Sequence, residues 1–333
     1  MSQISIAFQT NKTPAQYIAL AQLVNQYDFD AVSVYCDAPF HPSYGPLLLM
    51  APHIQRARIG PAAVSPARIA PIDMAAETAL LAQVAQGGVY LGIARGAWLA
   101  DHGIRESDRP IQAIREAIEI MRLLLSGESG GYNGQVFQIA PHVRAPYPLP
   151  EQPIPIMIGS WGKKLCALAG EIADEVKVGG SANPDIVPVI QRYIAAGEQR
   201  AGRPTGTVGV AVGAVSVIDE DREQAREQAR RAVSLYLPVV APLDPTVQVE
   251  PELIERLQTL VNQHDEAGAA RLISDDLLER FAFAGNAADI IRQAEGLFAA
   301  GASRVEFGTP HGLISENGIR ILGEQVIPAL KNR

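Results

Sequence analysis

Hydrophobic positions along this chain switch repeatedly between a strand-like and a helix-like pattern. Ile4–Gln9 reads as a short strand. Thr13-Pro14 then supplies an N-cap followed by a proline at the first helical position, opening a helix that runs to about Tyr27. Phe29–Tyr35 alternates and is rich in β-branched residues, the pattern of a second strand. A helix over Tyr44–Ile54 and a third strand over Ala57–Val64 follow. Pro71–Ala85 carries Ile72, Ala76, Ala79, Leu80 and Val84 at helical spacing, and Gly87-Gly88 stops it. Val89–Ala94 is a continuous apolar run, as in strands buried on both faces.

The alternation continues with a helix at Ile111–Leu125, a hairpin-like insertion through Tyr132–Ile139, and a fifth strand at Pro155–Ile158. Next come a helix at Lys163–Gly170, a short strand at Glu175–Val178, a helix at Pro184–Ala201, a strand at Thr207–Ile218 and a charged helix from Asp221 to about Tyr236. Pro238–Phe283 interrupts the rhythm with further helix. Ala287–Ala300 and Ser303–Phe307 restore a helix–strand pair, and Ser315–Leu330 closes the pattern. Eight strands alternating with helices predict an α/β protein, a (β/α)8 TIM barrel with insertions. A doubly wound open sheet is the rival, because periodicity does not register closure. No linker composition divides residues 1–333, so the expectation is one domain with a helical insertion at about 238–283, serving as a lid or an interface.

Composition narrows the partners. The net charge of −8 and the pI near 5.3 leave no basic surface for nucleic acid or an anionic membrane. No apolar run is long enough to span a bilayer, and the N-terminal residues lack the pattern of a signal peptide. Two cysteines, Cys36 and Cys166, imply no disulfide framework. A cytoplasmic enzyme acting on a small molecule is the expectation.

The chemistry is sought where strands end. The stretch Arg58–Ile104 reads strand, loop, helix, turn, strand, loop, and its two strand ends are built of glycine, alanine and backbone. Such ends let a large flat ligand approach the main chain. Phosphate-loop, dinucleotide-fingerprint and zinc-ligand motifs are absent, so no metal site is expected. Gly127-Glu128-Ser129-Gly130-Gly131 fits the letters of a nucleophile elbow but follows a helix, where the elbow requires a strand. Asp37 lies just past the second strand with His41 four residues on; these are the candidate acid–base residues. Arg95 and Trp98 follow the fourth strand in a loop opened by Gly92 and Gly96, suited to pairing an anion and walling a flat ring. In Ile158-Gly159-Ser160-Trp161-Gly162-Lys163 a strand meets a helix through small residues, and free amides at that helix start suit an anion. His311 follows the last strand and is more readily structural than catalytic, whereas Glu306 within that apolar strand invites an arginine inside the barrel.

Taken in order, these segments resemble the bacterial-luciferase-like superfamily, and within it the deazaflavin-dependent branch that includes methylenetetrahydromethanopterin reductase. The likeness rests on Phe29-Asp30-Ala31-Val32, Arg58-Ile59-Gly60-Pro61-Ala62-Ala63-Val64, Leu91-Gly92-Ile93-Ala94-Arg95-Gly96-Ala97-Trp98, Pro155 to Lys163, and Leu168-Ala169-Gly170-Glu171-Ile172-Ala173-Asp174. It implies a TIM barrel, a homodimer, and coenzyme F420 or alternatively FMN at the C-terminal ends of the strands. It further implies a non-prolyl cis peptide at Ala62–Ala63 that props the cofactor ring. The residues implied to bind the cofactor are Ala62, Ala63, Val64, Ser65, Gly92, Arg95, Gly96, Trp98, Gly159, Ser160, Trp161, Gly162 and Lys163. The implied reaction is hydride transfer between the deazaflavin C5 and a small organic substrate. The alternatives are an FMN-dependent monooxygenase using reduced flavin and oxygen, or a non-catalytic flavin- or F420-binding paralogue.

The chain also departs from that branch. Pterin reductases carry a glutamate in the first strand, where this chain has Ala7 or Gln9. Sugar-phosphate dehydrogenases carry a glutamate at the place of Ala97 and an Asp-His pair near Asp37, where this chain reads Asp37-Ala38. The acid–base set, and with it the substrate, is therefore not transferable from either.

Overall fold

The computed structural model describes residues 2–331. Its strands are β1 (Gln3–Phe8), β2 (Ala31–Val34), β3 (Arg58–Pro61), β4 (Leu91–Ala94), β5 (Tyr132–Asn133), β6 (Gln138–Ile139), β7 (Ile156–Gly159), β8 (Glu175–Gly179), β9 (Gly209–Ile218), β10 (Ala282–Gly285) and β11 (Arg304–His311). The first helices are α1 (Pro14–Val24), α2 (Tyr44–Met50), α3 (Pro71–Val84), α4 (Pro110–Leu125), α5 (Lys163–Ile172), α6 (Ile186–Arg200) and α7 (Arg222–Ser234). After them come α8 (Leu237–Val240), α9 (Pro251–Asn262), α10 (Glu266–Arg271), α11 (Asp275–Phe281), α12 (Ala287–Ala299), α13 (Ser315–Ile321) and α14 (Ile327–Lys331).

Local chemistry explains several boundaries. Thr13 caps α1 by accepting from the Gln16 amide while the Gln16 side chain accepts from the Thr13 amide, a reciprocal capping box with Pro14 behind it. Asn286 and Asp289 repeat the arrangement on α12. The β5–β6 hairpin is tied to α4 by buried Glu116, whose carboxylate accepts from the amides of Gln135, Val136 and Phe137 at 2.7, 2.9 and 2.8 Å.

All strand pairings in the main sheet are parallel, in the order β3-β2-β1-β11-β9-β8-β7-β4. Bridges Ile59–Val89 and Val64–Ile93 join β3 to β4, so the eight strands wrap into a barrel with the helices outside. Closure at that seam needs Gly92: a Cβ there would stand 2.1 Å from the Pro61 carbonyl oxygen. Two expectations change. The end of the supposedly helical stretch 238–283 is strand, because Ala282–Gly285 pairs with the C-terminal half of β9 at Val215–Ile218. The last strand continues past Phe307 through a bulge to His311, which re-pairs with Val217. Leucine, isoleucine and valine from the helices and the outer strand faces form the main core, and α7 to α11 pack a second one against β9 and β10.

The barrel's own interior is charged. Glu306 accepts from Lys177 Nζ and Ser33 Oγ, and lies 3.0 Å from Arg304. Arg304 in turn donates to Glu175 (Nε to Oε1 2.9 Å) and to Ser5 (3.0 Å), and stacks 5.7 Å from the Tyr90 ring. The Tyr90 and Ser33 hydroxyls bond at 2.6 Å. Arg304 and Glu306 are 0% and 1% exposed, so each charge relies on its partners in place of water. Burial alone would raise the Glu306 pKa, yet the Lys177 and Arg304 cations overcome it and bring it down to about 2.

Glu306→Ala is expected to remove roughly 3–5 kcal/mol of unfolding free energy by stranding two buried cations, as read by urea denaturation. A loss under about 1 kcal/mol would show that the network relaxes without it. Because the folded pKa lies below the ordinary 4.5, the Glu306 contribution is complete above that pH and declines as pH falls toward about 2. Wild type should therefore lose more stability across this window than the variant.

Candidate active site

A cavity of about 660 Å³ opens at the C-terminal ends of the barrel strands. Its floor and walls come from successive strand ends: Tyr35 and Asp37 after β2, Ala62 and Ala63 after β3, Ala94 to Trp98 after β4, and Gly159 to Leu165 between β7 and α5. Lys177 of β8, Gly213 to Val215 of β9 and Thr309 of β11 complete the ring. Tyr236, Val239, Val240 and Leu243, from the segment after α7, form the outer wall.

One side is a strip almost free of side chains. Ala62, Ala63, Ala94 and Gly159 line it, and the Ala62–Ala63 peptide is cis. Gly96 turns the adjoining loop with φ +100°, a conformation unfavourable to other residues. The strip leads to the start of α5, where Gly162 is the N-cap and no side chain caps the helix. The Gly162 amide donates to Ser160 Oγ at 3.0 Å, and Trp161 is pinned by a 3.0 Å bond from its indole N–H to the Gly179 carbonyl. Lys163 and Lys164 stand beside this open helix end, and among the described residues no carboxylate pairs with either. Helix dipole, free amides and two ammonium groups together favour an anion there.

The opposite side is polar but close to neutral. Lys177 reaches the cavity with its charge met by Glu306, 5.1 Å from the Tyr35 ring. Asp37 accepts from Gln9 Nε2 at 3.4 Å. Burial pushes the Asp37 carboxyl up, against the Gln9 bond and the cations Lys177 and Arg68, which favour its charge. Burial also raises the Tyr236 phenol, and the nearby Asp37 adds to the rise while a bond from Gln9 opposes it. The Tyr236 ring packs on Trp98, centroids 6.1 Å apart. A carboxyl held toward its neutral form beside a phenol is a proton-exchanging pair.

The cavity gathers Asp37, Ala62, Ala63, Arg95, Gly96, Trp98, Gly159, Ser160, Trp161, Gly162 and Lys163 from the sequence candidates. His41 lies outside it, because the turn after Asp37 carries it to the surface, where its amide bonds to the Thr10 carbonyl. Val64 and Gly92 are seam residues: Val64 is fully buried and bridges Ile93, and Gly92 faces Pro61 and Met157. Ser65 turns into a neighbouring cleft of about 200 Å³ with Arg105 and Phe137. Arg95 is held by Glu106 at 2.8 and 2.7 Å, which neutralises it. His311 is wholly buried against Phe8, bonded to the Ala7 carbonyl at 3.0 Å, and burial pushes its pKa down to about 3, so it is a neutral structural residue. Sequence reading passed over Lys177, Tyr35 and Tyr236. A lysine between two valines in a buried strand was the available sign for the first; Tyr236 carried none.

Asp37→Asn is expected to raise the melting temperature at pH 7. A folded-state pKa above the ordinary 3.8 means that the native protein holds this proton more tightly than the unfolded chain. The cost of ionising Asp37 is thus present at neutral pH and vanishes below about pH 3.8, where the variant's advantage should disappear. Equal melting temperatures at both pH values would refute a raised pKa.

Comparison with known proteins agrees with this geometry. The luciferase-like monooxygenase family matches residues 2–304. A 5,10-methylenetetrahydromethanopterin reductase of Archaeoglobus fulgidus is 29% identical over 86% of this chain and 87% of its own length. The solved coenzyme F420 dependent tetrahydromethanopterin reductase of Methanopyrus kandleri superposes with a TM-score of 0.89 at 24% identity, over 99% of both chains. An F420-dependent secondary alcohol dehydrogenase, solved with an F420-acetone adduct, superposes at 0.79 with 20% identity over 99% of both chains. With a family match spanning nearly the whole barrel and a cavity at the strand ends where that barrel presents its loops, the chain belongs to the luciferase-like monooxygenase family.

Proposed function

We propose that this protein is an F420-dependent oxidoreductase that transfers a hydride between the deazaflavin C5 and a small organic substrate. The observation that carries the reading is the side-chain-free strip of Ala62, Ala63, Ala94 and Gly159 running into the uncapped start of α5. A flat tricyclic ring with a phosphate on its side chain fits that sequence of surfaces. The two solved relatives named above are F420-dependent enzymes, which supports the same choice over FMN.

In this reading the bound deazaflavin supplies a two-electron hydride donor or acceptor, and the chain supplies the rest. Ala62 and Ala63 would support the ring, and Ser160, Gly162, Lys163 and Lys164 would hold its phosphate. Trp98 and Trp161 flank the opening and exclude water. Asp37, with its raised pKa, belongs with Gln9 and Tyr236 to the group of side chains beside which the proton accompanying the hydride is exchanged. The proposal includes a homodimer and a cytoplasmic location; exposed Leu313 and Ile314 are apolar surface that a second copy would cover. Among the described residues no helix is long and apolar enough to cross a membrane.

Paired fluorescence titrations with F420 and FMN test the reading. Tight binding of F420 with weak or absent FMN binding is expected. Preference for FMN would make the protein a flavin monooxygenase, and binding of neither would end both readings. Gly96→Val should weaken F420 binding at least about 10-fold, since one hydrogen bond's worth of distortion already costs that much. A side chain at φ +100° strains the loop and meets Leu99 at 3.0 Å and Ser65 at 3.3 Å. Unchanged affinity would remove this loop from the site.

A further inference from the structure

Charge is divided unevenly around the cavity, and the division bears on what else enters it. Its four cations are Arg95, Lys163, Lys164 and Lys177. Arg95 is taken by Glu106 and Lys177 by Glu306. Lys163 and Lys164 sit at the α5 start, where they serve the cofactor's phosphate. Around Tyr236, away from those lysines, the walls are Trp98, Val239 and Leu243, and the polar groups nearby are Tyr35 and Asp37. An anionic substrate there would lie against apolar surface and a carboxyl, with no unpaired cation to meet it.

Tyr236 is placed to act at that end. The Gln9 carbonyl oxygen already accepts from the Thr10 amide at 2.9 Å and the Thr10 hydroxyl at 3.4 Å. Its NH2 is therefore the end that faces Asp37 at 3.4 Å, on the side where Tyr236 lies. The phenol lies beside this amide and lines the cavity, where its hydroxyl is available to a ligand. Packing of the ring on Trp98 fixes its direction.

We propose that Tyr236 is the residue that exchanges a proton with the substrate oxygen, and that the substrate is a neutral, largely apolar ketone or the corresponding secondary alcohol. This deepens the F420 oxidoreductase reading and rests on it. In the reducing direction the carbonyl carbon gains a hydride from reduced deazaflavin. The C=O π pair moves onto oxygen, which takes the Tyr236 proton as the phenolic O–H bond breaks. The phenolate is steadied by the Gln9 amide and regains a proton from solvent at the cavity mouth. The substrate gains two electrons and the deazaflavin loses two.

The test uses full-length protein loaded with F420, with cyclohexanone, cyclohexanol and 4-oxocyclohexanecarboxylate as probes. With oxidised F420 no hydride is available, so cyclohexanone binding is measured calorimetrically apart from turnover. Wild type is expected to bind cyclohexanone, to reduce it when given reduced F420, and to prefer it at least about 10-fold to the carboxylate, an unpaired buried anion being the costlier ligand. Tyr236→Phe should bind F420 as wild type does, weaken cyclohexanone binding about 3- to 10-fold for one lost hydrogen bond, and lower kcat about 100-fold or more. A kcat within about 3-fold of wild type would overturn the role of Tyr236, because lost proton transfer costs far more. Normal F420 binding with no cyclohexanone binding and no turnover of either neutral probe, or a preference for the carboxylate, would overturn the substrate class. Absence of F420 binding would overturn this proposal together with the cofactor reading.

Discussion

The Glu306 carboxylate is the constraint on which the rest of the barrel depends. Its two oxygens meet Lys177, Arg304, Ser33 and Ser5, residues of β8, β11, β2 and β1. Arg304 extends the same chain of contacts to Glu175 at the start of β8, and Arg58 of β3 reaches Glu175 at 3.7 Å. A barrel filled with leucine and valine would close as tightly without caring which strand neighbours which at the level of single charges. Here Glu175, Lys177, Arg304 and Glu306 each have a named partner across the barrel, so a shifted register would leave ions unpaired in a dry interior.

That network also sets the floor of the cavity. Lys177 is its uppermost member and the one that reaches the ligand space, and its charge is already met from below by Glu306. The floor is therefore polar without carrying a net attraction for a second anion. Burial pushes the Asp37 carboxyl up from its ordinary value, against the pull of Gln9 and the Lys177 and Arg68 cations. Structure and chemistry meet at this level: the same pairing that stabilises the barrel leaves Lys163 and Lys164 at the α5 start as the cavity's unpaired cations among the described residues, and the Tyr236 end close to neutral.

Much of the barrel was legible in the sequence, because strand and helix periods differ and glycine, proline and capping residues punctuate them. The Thr13-Pro14 start, the continuous apolar β4 and the strand at Glu175–Val178 all stand where the pattern puts them. Ala282–Gly285 was hidden because it is four residues long, buried throughout, and preceded by helices; its strand conformation exists only through pairing with β9. The candidate ligand strip was legible for a related reason. A site made of absent side chains leaves its mark as small residues at strand ends, and Ala62, Ala63, Gly96 and Gly159 need no partner to be recognised.

The acid–base side was legible only in Asp37. Its position just past a strand end is a local property, whereas His41 shares that locality and is turned outward by the intervening residues. Tyr236 and Gln9 lie 227 residues apart in the chain and meet only because the segment after α7 folds back over the barrel mouth. By itself the sequence determined the alternation of elements, the family likeness and the small-residue strand ends, because each is written in neighbouring residues. Only the tertiary structure decided which charges cancel, which candidates face the cavity and which residues from distant segments join Asp37. Those depend on distances through space, and burial decides their protonation.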